Sequence, residues 1–233
     1  MSSFDPIRVV DGISYERITI KTHLIWFGED LVDVLKKYAG PSLRPGDWLA
    51  LSEKVVSTCQ NDIRNISTVK VSWLAKLIVM GVKKYPDDKG WENPEKMQVA
   101  IEMVGYPRAI IAMIAGGIGK LFGIRGVFWH ILGNRAAELD GFNPIVLEPY
   151  RENVALPPSH PESACERVEK ELGAPAVIID GNNINVKIIA MSNGMPVNAK
   201  NARLILLDNP MGQDEELTPF IIVRRVDTAT SIK

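Results

Sequence analysis

The chain has 233 residues, 46% of them hydrophobic and 24% charged, the balance of a folded globular protein of one large domain or two small ones. Its 27 Lys plus Arg against 28 Asp plus Glu leave a net charge of -1, which excludes the broad cationic surface of a dedicated nucleic-acid binder. Two cysteines, Cys59 and Cys165, stand far apart with no CxxC or Cys-His spacing, so neither a disulfide framework nor a thiolate zinc site is indicated, and a reducing cytosol fits best.

In chain order, Arg8 to Ile25 is rich in β-branched residues and predicts strands leading to a turn at Gly28. The start, Met1 to Val10, has Asp5 and Pro6 and lacks a basic-then-apolar layout, so no signal peptide is read. Leu31, Val34 and Leu35 recur at helical spacing within Asp30 to Tyr38, and Gly40-Pro41 is a stop signal. Arg44-Pro45-Gly46-Asp47 makes a turn into Trp48-Leu49-Ala50-Leu51, a buried strand by composition. Ser52 to Ser57 then sets polar groups at the end of that apolar element, where sites are often built.

Residues 68 to 84 read as a helix with Val71, Leu74, Ala75, Ile78 and Val82 on one side, followed by a polar loop over 85–95 and a short helix from Glu95 to Val104. The Gly-rich apolar region 109–133 comes next. Its longest apolar run, Ala109 to Gly119, ends at Lys120, short of the roughly 20 residues a spanning helix needs. Ile145-Val146-Leu147 reads as a strand and 155–158 as an extended linker. Pro161 to Leu172 is a helix, with Ser159 as its N-cap, Ala164, Val168 and Leu172 recurring every four residues, and Gly173 ending it. Val177 to Asp180 is a buried strand ending in an acid. Strands at Val186 to Met191 and Phe220 to Val226 bracket a helix near 198–208, and the mixed order gives an α+β class.

Several constellations invite chemistry. Gly116-Gly117-Ile118-Gly119-Lys120 suggests a phosphate loop, but a Walker loop needs Gly and Ser or Thr where Ile114 and Leu121 stand, so close packing or a tight turn is the better reading. Asp140 and Asp180 each sit where an apolar element meets a Gly-containing turn. Hard divalent ions take such carboxylates together with substrate phosphates, while the plainer role is turn bracing through local hydrogen bonds. His23, His130 and His160 offer no paired-ligand spacing, and no Ser lies in a G-x-S-x-G elbow. Phe122, Phe128 and Trp129 beside Arg125 stack a base or, more commonly for such a run, belong to a core or interface. With Ala109 to Gly119 they predict a homodimer.

Set together, the stretches resemble a known family. Arg44-Pro45-Gly46-Asp47 followed by Lys54-Val55-Val56-Ser57 looks like "PGD, strand, SKVVSKAEGR". Ala137 to Asn143 is similar to "AGIDxSN", Leu156-Pro157-Pro158 to "LLPxDPxxSA", Val177 to Asn182 to "VIITDTxGR", and Met211-Gly212-Gln213 with Thr218 to Arg224 to "MGQxxxGxPxVxVRG". These belong to the CofE-like family, the gamma-glutamyl ligases of the deazaflavin coenzyme F(420) pathway. The resemblance implies one α+β domain over 1–233, a mixed sheet with packed helices, carrying an apolar helical insertion at 65–133 outside the matched motifs. It also implies a cytoplasmic amide ligase that joins L-glutamate to a carboxylate-bearing acceptor, using GTP or ATP and magnesium or manganese. By the same resemblance Asp140 and Asp180 are metal ligands, and Lys54, Ser57, Asn143 and Gln213 surround the nucleotide or its phosphates. Neither nucleic acid nor membrane is an expected partner. There are departures: the acid and arginine of "KAEGR" are replaced around Thr58-Cys59-Gln60-Asn61, the arginine of "TDTxGR" is absent after Asn183, and the acids before the terminal motif are not visible. A catalytically silent nucleotide- or metabolite-binding relative, or an interaction protein built on 109–133, are the rival readings.

Overall fold

The computed structural model describes residues 5–82, 91, 93–133, 136, 139–141, 152–181, 186–212 and 216–226. They form an α+β fold whose chain divides into two compact units, 1–62 with 158–233, and 63–157.

The first unit is a six-stranded mixed sheet of order β1-β2-β9-β3-β7-β8. β1 (Ile7–Val10) and β2 (Ile13–Ile20) form a hairpin closed by Asp11 and Gly12, both at positive φ, the backbone of a two-residue turn that matches strand twist. β3 (Trp48–Ser52) lies between β9 (Phe220–Val226), antiparallel to it, and β7 (Ala176–Gly181), parallel to it; β8 (Val186–Met191) closes the far edge. Trp48 to Leu51 are all buried because both faces of this central strand are covered. Leu49, Leu51, Ile178, Phe220 and Ile222 pack in one core with residues of α1 (Leu31–Tyr38), α2 (Glu53–Cys59) and α7 (Pro161–Leu172). On the opposite face Trp48, Ala50, Val177, Ile179, Ile221 and Val223 meet Ala202 and Ile205 of α8 (Ala199–Ile205).

Local chemistry explains the ends. Asp30 caps α1 by accepting from Val32 N (2.9 Å) and Asp33 N (3.1 Å). α7 ends at Gly173 in the left-handed region, as its sequence predicts, but its N-cap is His160, whose side chain makes no capping bond, rather than Ser159. Ser159 is held instead from outside the helix, its N–H donating to Asp62 Oδ2 at 2.7 Å. The Arg44–Asp47 turn is tied to β9: Asp47, 2% exposed, accepts from Arg224 Nε (2.9 Å) and Nη2 (2.7 Å) and from Arg44 N (2.8 Å). Arg17 on β2, 1% exposed, donates to Ile205 O (2.9 Å) and pairs with Asp208, which anchors the chain leaving α8.

The second unit contains α3 (Trp73–Gly81), α4 (Pro94–Val104), α5 (Tyr106–Leu121), α6 (Val127–Leu132) and a small antiparallel sheet of order β4-β6-β5. Its strands are β4 (Ile63–Asn65), β5 (Asp140–Gly141) and β6 (Asn153–Ala155). Leu74, Ala75, Ile78, Met97, Ile101, Ala109, Ala112, Leu132 and Val154 form its core. The helix expected over 68–84 is shorter. A single 3-10 turn occupies Ile66–Thr68, and Ser72, held by Gln98 Oε1 at 2.7 Å, caps Ala75 N and starts α3 there. α8 is likewise shorter than 198–208, because Asn198 caps it and Leu206 to Asp208 form a turn. Most of the loop expected at 85–95 and the strand expected at 145–147 lie outside the described residues.

The glycine run lies inside α5. A Cβ on Gly116 would sit 2.8 Å from Phe128 Cβ, and one on Gly119 2.8 Å from Val127 Cγ2, so both glycines permit close approach of α6. This is the packing role the sequence favoured over a phosphate loop. Among the described residues no single helix is long and apolar enough to cross a membrane.

Candidate functional site

Ligands of open sheets with parallel strands are commonly taken outside the carboxyl ends of those strands, where chain segments diverge and leave a crevice. β3 and β7 are neighbouring parallel strands, with Ser52 opposite Ile179, so both chains leave the sheet side by side. From β3 the chain turns into α2, carrying Lys54 and Ser57; β7 ends in Asp180 and Gly181. Along β7, Val177, Ile178 and Ile179 alternate between the two cores, so Asp180 follows Ile178 onto the face that α2 covers.

The C-terminal motif stretch, Met211-Gly212 with Thr218 to Arg224, arrives at the same end through β9. Ser52 N donates to Pro219 O (3.0 Å), and Thr218 Oγ1 donates to Met211 O (2.7 Å), bringing the Met211-Gly212 turn against the start of β9. Asn209 joins this turn to β7, its Nδ2 donating to Gly212 O (3.2 Å) and Gly181 O (3.4 Å). A Cβ on Gly181 would fall 2.7 Å from Asn209 Oδ1, so only glycine admits this approach without displacing the amide. Sequence reasoning missed Asn209. Its one local signal is the Asn209-Pro210 pair, a turn dipeptide, and Asn209 does adopt φ +45°.

Ser57 carries the most informative side chain. It is 1% exposed, and among the described residues its hydroxyl has no hydrogen-bond partner. An unsatisfied buried hydroxyl costs about 1–3 kcal/mol, which a ligand oxygen at the site would recover. Lys54 is half-buried one turn earlier, its carbonyl accepting from Thr58 Oγ1 at 2.7 Å.

Of the residues expected from the sequence, the sheet therefore brings Lys54, Ser57 and Asp180 to one end. Asp140 begins β5, opposite Ala155, in the second unit. Asn143 and Gln213 lie outside the described residues. Among the described residues no group of three or more metal-ligating side chains occurs. Asp180 is the one carboxylate at the end of β7, and a hard cation such as magnesium, where it binds alongside substrate phosphates, commonly takes only one or two protein carboxylates.

The departures from the family pattern have a structural use. Counting on from Lys54–Ser57, the acid, glycine and arginine of "KAEGR" fall on Gln60, Asn61 and Asp62. Asn61 takes the left-handed conformation a glycine would, φ +60°. Gln60 Nε2 donates to His160 O (3.0 Å) and its Oε1 accepts from His160 N (3.1 Å), while Asp62 holds Ser159 N; together they clamp the entrance of α7. A cavity of about 240 Å³ beside this clamp is lined by Glu29, Asp30, Cys59, Gln60, His160 and Arg167, among others. It offers no thiol nucleophile, since burial, with the charges of Glu29 and Asp30, pushes Cys59 up to about 12.

A family model described as F420-0:Gamma-glutamyl ligase matches residues 19–198. The chain belongs to this family. No curated protein matches it. For a member of the F420-0:gamma-glutamyl ligase family the matched span takes in Lys54, Ser57, Asp140 and Asp180 as well as the helices of the second unit, and it supports a ligase-like function at the level of the family.

Proposed function

We propose that this family member is a nucleotide- and metal-dependent amide ligase that adds L-glutamate to a carboxylate-bearing cofactor precursor. The observation that supports the reading is that α2, with Lys54 and Ser57, and the end of β7, with Asp180, both lie at the carboxyl ends of neighbouring parallel strands, the Ser57 hydroxyl being buried and, among the described residues, without a hydrogen-bond partner. In this reading the phosphates of GTP or ATP lie against α2. Ser57 donates its hydroxyl hydrogen to a phosphate oxygen, and the Lys54 ammonium offsets phosphate charge. Asp180 would hold magnesium or manganese, which when bound spreads the charge of the transferring phosphoryl group. Asn209 keeps the Gly181 and Gly212 backbones together and so sets the position of Asp180.

The chemistry balances in two displacements. A carboxylate oxygen of the acceptor attacks the terminal phosphorus and the nucleoside diphosphate leaves, giving an acyl phosphate. The amine of glutamate then attacks the acyl carbon, phosphate leaves, and the amine gives up a proton as the amide forms. The test is turnover by the full chain with GTP or ATP, Mg or Mn, glutamate and a panel of carboxylate acceptors that includes deazaflavin and folate precursors. Phosphate release coupled to mass gain of the acceptor is expected. Ser57→Ala should weaken nucleotide binding about tenfold, one lost hydrogen bond to a charged group, without lowering the melting temperature. Absence of both nucleotide and metal binding in titration calorimetry would sink the ligase reading.

One observation favours a second reading, a silent nucleotide-binding relative: the positions that carry an acid and an arginine in the family motif are here committed to the α7 clamp. Nucleotide binding with no turnover on any acceptor selects it.

A further inference from the structure

We infer that the α5–α6 corner is a docking surface for an anionic lipid bilayer. α5 is inverted relative to an ordinary surface helix. Its small residues Ala109, Ala112 and Gly119 are buried, while Ile111 (59% exposed), Ile114 (55%), Ile118 (51%) and Leu121 (85%) face solvent. Their spacing of three and four residues puts them in one row along the helix. Past the helix end the row continues into Phe122 (76%) and Ile124 (57%), and Lys120 Nζ, donating to Gly81 O, brings exposed Met80 beside it. Single exposed apolar residues are ordinary, but a contiguous patch of several hundred Å² marks an interaction surface.

Charge decides the occupant. From Met103 to Ala137 the sequence has no acidic residue but carries Arg108, Lys120, Arg125 and Arg135. Lys120 and Arg125 flank the Leu121–Ile124 tip, both exposed. A second copy seated on this patch by a two-fold axis would bring the like cations Lys120 and Arg125 of the two copies together. A layer of anionic headgroups complements them, while the Ile, Leu and Phe side chains enter the acyl boundary. The sixteen residues of α5, about 24 Å long, suit a helix lying in the interface plane. That no single helix among the described residues is long and apolar enough to span bears on crossing a bilayer, not on lying against one. The inference is independent of the ligase reading.

The test is co-sedimentation of the full chain with vesicles of phosphatidylcholine alone and of phosphatidylcholine mixed with phosphatidylglycerol, at low and high salt. The variants are Leu121→Glu with Phe122→Glu, Arg125→Gln, and wild type, each with a melting curve and light scattering. Binding is expected only to the phosphatidylglycerol vesicles. It should fall at least tenfold in the double variant, severalfold in Arg125→Gln, and steeply with salt, since screening shortens the reach of the headgroup field. Arg125→Gln changes one exposed side chain beyond the helix, so it reads the charge contribution even if the double variant folds poorly. No sedimentation, or equal sedimentation with neutral vesicles, overturns the inference. A dimer in light scattering that the double variant abolishes, with no vesicle binding, overturns it in favour of a second copy of the chain.

Discussion

Three glycines within four residues of α5 should respond to alanine in opposite directions. Gly117 has nothing within 4 Å of where a Cβ would stand, so Gly117→Ala gains only the helix-propensity difference and stabilises by about 0.5–1 kcal/mol. Gly116→Ala gains the same amount but drives its methyl to 2.8 Å from Phe128 Cβ and 3.3 Å from Phe128 Cα. Those are atoms at or next to the backbone, so relief requires α6 itself to move. Overpacking of this kind costs about 1–3 kcal/mol, leaving a net loss of about 1 kcal/mol. Gly119→Ala meets Val127 Cγ2 at 2.8 Å and Ile124 O at 3.2 Å, and it strains the turn in which Ile124 N donates to Gly119 O (2.8 Å); it should destabilise similarly. Thermal unfolding followed by circular dichroism reads the three variants, with shifts of about 2–4 °C per kcal/mol for a chain of this size. Equal shifts of one sign for Gly116→Ala and Gly117→Ala would refute the packing account. Loss of nucleotide binding in Gly117→Ala at unchanged stability would instead revive the phosphate-loop reading.

Two further outcomes follow from the ion pairs. Arg224→Met leaves the Asp47 carboxylate buried and uncompensated, so it should destabilise by about 3–5 kcal/mol in denaturant titration, whereas combining it with Asp47→Asn should cost less than the sum of the single changes; strict additivity would show that the pair is not coupled. The Arg167 guanidinium holds the Asp30 carboxyl below its usual value, so this pair adds stability above the unfolded carboxylate range, near pH 4, and that contribution is lost as pH falls through the lower folded value. Asp30→Asn keeps an N-cap side chain for α1 while removing the titration, so its stability should fall less than that of wild type between pH 5 and pH 3, by an amount kept small by solvent exposure; parallel pH curves would refute the assignment.

Much of the fold is legible in the sequence because its signals are local. Leu31, Val34 and Leu35 with Asp30 before them specify α1; Ala164, Val168, Leu172 and Gly173 specify α7 and its end; the continuous apolar runs at 48–51 and 177–179 specify strands buried on both faces. Each signal needs only residues within one or two turns of each other. α2 is less legible, since seven residues with little periodicity read simply as polar groups after a strand. Residue type points to Ser159 as the N-cap, but a cap is decided by where the incoming chain is held, and Gln60 and Asp62 hold it from about a hundred residues away.

The site divides in the same way. Lys54, Ser57 and Asp180 could be named from residue type and motif resemblance, yet nothing local states that they share one end of a sheet. That follows from the parallel pairing of Leu49 to Ser52 with Ala176 to Ile179, which arises because both strands must bury two apolar faces at once against the same helices. The role of Asn209 and the burial of the Ser57 hydroxyl appear only once that pairing exists. The amino-acid sequence by itself determines which segments are helix or strand and which residues have useful chemistry. Tertiary structure alone decides which of them meet, because burial and steric approach depend on atoms contributed by segments far apart along the chain.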